Sequence, residues 1–342
     1  MKAKTKIIKV VAAGILLVCA GFLAVCRSSL PIATVVPDTT RNLDKTRSFE
    51  PIVPIPTNIE LDGAKVALGE KLFDDVRLSR DNSVSCVSCH SLSLGGTDQR
   101  STSVGIDGQT GEINAPTVFN SSLNFRQFWD GRAPSVEEQI DGPIHSDLEM
   151  ATNWQDVINK LEQSPECVAE FASIYRDGIR AENIKDAIAT YERSLTTPNS
   201  RFDLYLLGDA DALTGDEKEG YRTFKTVGCS SCHQGINIGG NLFQEFGVMG
   251  SYFKDRGNIS KADYGRFNVT GDERDRYVFK VPSLRNISQT HPYFHDGTGK
   301  TLEDAVATMS RYQLGRKLSV NEIDLIVKFL STLDGEYTRY AR

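Results

Sequence analysis

Apolar positions along this chain recur mostly at helical spacing. From Gly63 to Phe73, the residues Val66, Leu68, Leu72 and Phe73 approximate one face of a helix. The same period runs through 152–163, 165–177, 182–196, 214–227, 301–312 and 319–333, which are therefore expected to be amphipathic helices. Several starts carry caps. Ser135-x-x-Glu138 and Ser319-x-x-Glu322 fit capping boxes, and Ser164-Pro165 sets an N-cap before a proline at the first helical position. Strand-type alternation is scarce, with Tyr277–Val281 its best instance. The run Gly95–Gly111, rich in Gly, Ser and Thr, reads as a loop, and the proline-rich 28–57 as a tether and extended arm. The expected fold is mostly α with long loops. A polar break at Leu207–Thr214 splits the chain into 58–207 and 208–342, in keeping with two domains for 342 residues.

The first 27 residues follow a different logic. Lys2, Lys4, Lys6 and Lys9 form a basic head, followed by seventeen uncharged, mostly apolar residues from Val10 to Cys26. That length suits either a cleaved signal peptide or an N-terminal membrane anchor, and both export the remainder to the periplasm. Val18 and Val25 before Cys19 and Cys26 do not fit a lipid-attachment site. Removing the five basic residues of 1–27 from a net charge of −6 leaves −11 on the exported part. An acidic body favours a cationic protein partner and disfavours nucleic acid. Hydrophobic residues at 39% and charged residues at 25% are ordinary for a globular protein.

Cysteine usage changes the picture. Four of seven cysteines sit in two copies of one pattern, Cys86-Val87-Ser88-Cys89-His90 and Cys229-Ser230-Ser231-Cys232-His233. C-x-x-C-H is the attachment signature of a c-type haem. Two thiols a helical turn apart can form thioethers to one porphyrin, and the following histidine falls under the iron as an axial ligand. Zinc would want four Cys or His ligands at close spacing, whereas the copies lie 143 residues apart. The sequence therefore describes two covalently bound haems, one on each side of the break. Cys167 is left as a buried free thiol.

Between and after these motifs stand Asn114–Asn120 (NAPTVFN), Gln127–Ala133 (QFWDGRA), Val278–Asn286 (VFKVPSLRN) and Pro292–Gly297 (PYFHDG). With Cys86–Gly96 (CVSCHSLSLGG), they make the chain from about residue 50 onward resemble the bacterial dihaem cytochrome c peroxidase family, a relative of the methylamine-utilisation dihaem oxygenases. The resemblance implies two cytochrome c-like domains, an N-terminal peroxidatic haem on His90 and a C-terminal electron-transfer haem on His233. It implies Met309 as the sixth ligand of the second haem, where a soft thioether raises the potential. Met249 is a weaker rival, and Met150 matches a distal-loop position. Trp129 matches a tryptophan between the haems. Asn114, Thr290 and Pro292 match a calcium site built from one amide and two carbonyls. His295 matches a histidine near the haem propionates.

The resemblance also makes Glu149 the catalytic carboxylate and Gln139 its accompanying amide, with Asp147 a rival. Splitting a peroxide needs a proton moved from one oxygen to the other, which a carboxylate can accept and return. One position departs from the pattern. Many family members close the peroxidatic iron with a histidine after Ser-x-Gly, but Ser103-Val104-Gly105 is followed here by Ile106, which cannot ligate iron. The first haem is therefore expected to stay open when fully oxidised, unless His145 substitutes. The implied reaction is reduction of hydrogen peroxide with electrons from a small cytochrome c or cupredoxin, and the resemblance leaves room for a homodimer. The rivals are a dihaem oxidase or oxygenase acting on a protein or organic substrate, and a non-enzymatic electron carrier or redox sensor.

Overall fold

The computed structural model describes residues 50–340; the leader, Cys19, Cys26 and most of the predicted tether lie outside the described residues. No helix among the described residues is long and apolar enough to cross a membrane.

Helices dominate, as the periodicity predicts. They run Gly63–Phe73, Val136–His145, Trp154–Glu162, Pro165–Ile174, Ala181–Ser194, Arg201–Leu206, Gly215–Val227, Leu302–Tyr312 and Val320–Leu330, among shorter single turns. Ser135, Ser164 and Ser319 each cap a helix, accepting from the backbone N–H three residues on. The helix Arg201–Leu206 was not anticipated; Ser200 starts it through a capping box with Asp203. The predicted strand shortens to Val278–Lys280 and pairs antiparallel with Phe243–Glu245.

Two apolar clusters use the same packing device. In the first, Gly63–Phe73 crosses Ala181–Ser194 so closely that a Cβ on Gly69 would sit 2.0 Å from the Ala187 carbonyl oxygen. In the second, Gly215–Val227 crosses Val320–Leu330, and a Cβ on Gly220 would sit 2.0 Å from the Leu325 oxygen. Each glycine-bearing helix leads into one C-x-x-C-H, so this backbone contact places both motifs against their cores.

The clusters do not follow the predicted break at Leu207–Thr214. Leu195 packs in the first, whereas Phe202, Tyr205 and Leu206 already belong to the second. The chain ends also exchange. The arm at Ile52 bridges Gly235 of the second lobe, and the Glu50 carboxylate accepts from the Tyr221 hydroxyl. Tyr337 and Tyr340 return to the first cluster, where the Tyr340 hydroxyl bonds both backbone groups of Leu61 at 3.0 Å.

Arg285 fastens this exchange. Wholly buried, it pairs with Asp203 at 2.7 Å and also donates to the carbonyls of Val53 and Ile236. Removing one partner of such a pair strands a buried charge, at a cost of about 3–5 kcal/mol. Asp203→Ala is accordingly expected to lower unfolding free energy by about that amount, read from urea unfolding of the haem-loaded chain, while removing the solvent-exposed Arg274–Asp272 pair leaves the urea midpoint unchanged.

Candidate functional site

Each motif folds into one tight turn. Cys86–Cys89 forms a single α-turn, held where the Ser88 hydroxyl accepts from the Ser85 N–H at 3.0 Å. Cys229–Ser231 forms a 3₁₀ turn, entered through Gly228 at φ 107°. Both histidines are then oriented alike. His90 Nδ1 lies 3.3 Å from the Gly96 carbonyl oxygen, and His233 Nδ1 lies 3.3 Å from that of Ile238. A carbonyl only accepts, so each Nδ1 carries the proton and each Nε2 keeps its lone pair.

Burial reinforces that state. Desolvation lowers the His90 imidazole below its ordinary range and His233 to about 4, so both rings are neutral ligands at physiological pH. Desolvation likewise raises the thiols of Cys86, Cys89 and Cys232, and pushes Cys229 up to about 12. Among the described residues, the thiols and histidine of neither motif converge on one point, as the ligands of a zinc centre do. Among the described residues, the group of metal-binding side chains that converges is instead Asp263, His295 and Asp296. Arg256 already fills it, pairing with Asp263 at 2.6 Å and with Asp296.

A cavity of about 240 Å³ opens beside the second motif. Cys229, Cys232, His233 and Met309 all line it, with the apolar side chains of Phe224, Leu302, Val306, Leu314 and Leu330. An apolar chamber with two thiols, a neutral imidazole and a thioether is of the kind a c-type haem would occupy. Met309 is presented from the helix Leu302–Tyr312, whereas Met249 is 63% exposed and Met150 is buried in the first cluster.

The same cavity reaches toward the first motif. Thr97, Pro116 and Trp129 line it, and the Pro116 backbone lies close enough to the His90 ring to favour its protonated form slightly, against burial. The bridge Gln127–Ala133 forms the tight loop that carries Trp129. The indole N–H donates to the Asn114 carbonyl at 2.9 Å, and the Asn114 N–H donates to the His295 carbonyl at 2.7 Å. The His295 ring, edge-on to Trp129 at 6.2 Å, is held by Asp263 at 2.7 Å. Burial opposes the Asp263 charge, but His295 and Arg256 hold its carboxyl well below the usual range. His295 is thus tied to an anion, a partner that sequence reasoning missed.

Asn114, Thr290 and Pro292 also share this wall. The Asn114 amide nitrogen donates to the Arg100 carbonyl at 2.7 Å, which turns its Oδ1 away from that bond. Among the described residues, the carbonyls of Thr290 and Pro292 accept no hydrogen bond.

Glu149 sits on the turn that follows the helix Val136–His145, which also carries Gln139. Burial chiefly raises the Cys89 thiol, and the Glu149 charge adds a smaller upward push, so the carboxylate acts electrostatically on the first motif. The side chain borders open space, yet the surrounding loop still desolvates the carboxyl and raises its pKa, against the pull of Ser146 and Arg132. Ile106 is buried and donates its N–H to the Glu149 carbonyl at 2.9 Å. His145 is exposed and packs its ring edge-on against Trp154 at 6.3 Å.

Residues 63–211 match the family described as di-haem cytochrome c peroxidase. A cytochrome c peroxidase of Escherichia coli (strain K12) is 48% identical over 292 residues, which are 85% of this chain and 62% of that protein. A cytochrome c551 peroxidase of Nitrosomonas europaea is 46% identical over 84% of this chain and 85% of its own. Among solved structures, a MauG-like protein associated with microbial copper homeostasis aligns with a TM-score of 0.72 at 26% identity, over 85% of this chain and 95% of its own. The chain thus spans less than two thirds of the E. coli protein and most of the other two.

A Cβ on Gly105 would lie 2.1 Å from the Leu148 oxygen and 2.7 Å from the Glu149 Cα. Gly105→Ala must therefore displace the Glu149 turn, with an expected loss of about 1–3 kcal/mol. Hydrogen exchange checks it through faster exchange at the Ile106 amide, with the His233 region unchanged.

Proposed function

The chain belongs to the di-haem cytochrome c peroxidase family, and on that premise we propose that it is a periplasmic enzyme reducing hydrogen peroxide to two waters. Two electrons and two protons are consumed, and the electrons come singly from a small cytochrome c or cupredoxin. The observation that carries this reading is an asymmetry. A desolvated carboxylate, Glu149, stands beside the first motif, whereas a thioether, Met309, shares the cavity of the second.

Two haems fit the residues present, on Cys86, Cys89 and His90, and on Cys229, Cys232, His233 and Met309. Bound there, haem iron supplies one-electron chemistry and, where no protein ligand closes it, an open position for peroxide. The chain's own residues do the rest. Glu149 takes a proton from one peroxide oxygen and returns it to the other, which leaves as water. The Gln139 amide orients the substrate by hydrogen bonding, and Arg132 favours the ionised carboxylate. Ile106 offers only hydrocarbon where a closing histidine would stand, so the first site is ready in the fully oxidised protein. His145, engaged with Trp154, leaves that site open.

Trp129 lies on the electron route between the two sites. Its N–H faces a neutral carbonyl rather than a base, so the indole has no nearby group to take its proton. The oxygens of Asn114, Thr290 and Pro292 would hold one calcium ion, bracing the wall that carries Trp129. The net charge of −11 outside the leader attracts a basic electron donor. Oxidation of a protein or organic substrate is the second reading, supported by the absence of a gating histidine. A methionine at position 309, where the oxygenases resemble a tyrosine site, favours peroxide reduction.

Glu149→Gln is expected to lower peroxide turnover with a reduced cytochrome by about 10²–10⁴-fold. Glu149 must be ionised to accept its proton, and its pKa is raised. Wild-type activity should therefore fall with decreasing pH at a value above the usual carboxylate pKa of about 4.3. That limb vanishes in the variant. A variant with wild-type turnover would refute the assignment of the base.

A further inference from the structure

Lys280 is a buried lysine whose side chain finds no partner among the described residues. Only 6% exposed, it sits at the end of the strand Val278–Lys280 and lines the cavity shared with Cys229, Cys232, His233 and Met309. Its backbone N–H donates to the Trp129 carbonyl at 2.8 Å, which fixes the residue at that wall. Among the described residues, its side chain has no hydrogen bond or ion pair. Desolvation alone lowers its pKa to about 8, with no opposing anion.

The other charged groups of this wall are accounted for. Arg285 is paired with Asp203, and His295 with Asp263. Glu245 is exposed, and in the antiparallel register it stands opposite Val278 rather than Lys280. An isolated buried ammonium is costly and persists where something compensates it. The occupant that the cavity's thiols, imidazole and thioether select is an apolar macrocycle whose anionic parts are two carboxylates.

We propose that Lys280 is the counter-ion to the carboxylates of the haem held by Cys229, Cys232, His233 and Met309, and that its charge raises that haem's reduction potential. The inference rests on the reading of this cavity as the electron-transfer haem site. It makes Lys280 a positioning residue of a different kind from Met309. The thioether acts on the iron through a bond, whereas the ammonium acts through space on the ring's charge. A cation close to the macrocycle stabilises the reduced form, which carries one more negative charge than the oxidised form. Both effects favour electron acceptance at the second site.

The test is a spectroelectrochemical titration of the full haem-loaded chain, comparing wild type with Lys280→Gln, Lys280→Met and Lys280→Arg. Haem content and the spectrum of the methionine-ligated haem are recorded on the same samples. The proposal expects two haems and an intact methionine-ligated spectrum in the neutral variants. The second haem's midpoint potential is shifted down and that of the first is much less changed, while Lys280→Arg recovers most of the shift. Loss of the second haem in both neutral variants, with retention in Lys280→Arg, also supports it, because the positive charge is then what the site requires. Unchanged potentials in Lys280→Gln and Lys280→Met, or a shift confined to the first haem, would overturn it. Equal damage in all three variants would overturn it as well. A wild-type chain without a methionine-ligated haem would instead overturn the underlying reading of the cavity, a result visible before any variant is made.

Discussion

The hydrogen bond from each motif histidine to a backbone carbonyl is the constraint on which the rest depends. Gly96 fixes His90 and Ile238 fixes His233, at the same 3.3 Å and through the same ring nitrogen. A ring so held presents its other nitrogen in one direction, and burial keeps it neutral. The accepting carbonyls come from the loops after each motif. Those loops are therefore structural parts of the two sites, and their irregular backbone is the means by which the rings are aimed.

From that shared start the sites diverge through what each lobe supplies on the opposite side. The second lobe supplies the helix Leu302–Tyr312 and with it a thioether. The first supplies a turn, and that turn brings a carboxylate whose main chain is clasped by Ile106. The lobes are not independent. The Trp129 indole donates to the Asn114 carbonyl and the Asn114 N–H to the His295 carbonyl, so a shift in the loop that carries the indole is felt at the Asp263–His295–Arg256 cluster. The exchanged chain ends and the buried Arg285–Asp203 pair hold the same arrangement from outside.

Much of this was legible in the sequence because its signals are local. Cysteine spacing, helical periodicity and caps such as Ser319 need only a few neighbouring residues to be read. Residues whose meaning depends on distant partners were not legible. Ile52 and Ile55 looked like part of a tether, yet both are buried, and Ile52 packs in the second cluster and bridges Gly235. Tyr337 and Tyr340 follow the last helix, and no period announces that they reach the first cluster. The break expected near Leu207 followed polar composition, whereas the apolar partners of Phe202 and Tyr205 lie far along the chain. His295 and Lys280 lay inside motifs noticed by resemblance. Asp263 and Arg256, which define the surroundings of His295, carry no motif at all. The requirement of Lys280 for an anion becomes visible only when burial and missing partners are known together.

The central claim is that one iron is sealed by sulfur while the other stays open beside an acid. Electron paramagnetic resonance of the fully oxidised, haem-loaded chain, before and after adding peroxide, tests it most directly. The account predicts one low-spin histidine–methionine signal together with one high-spin signal, the latter changing at once with peroxide and without prior reduction. Two low-spin signals indifferent to peroxide would contradict it, since both irons would then be closed by protein ligands.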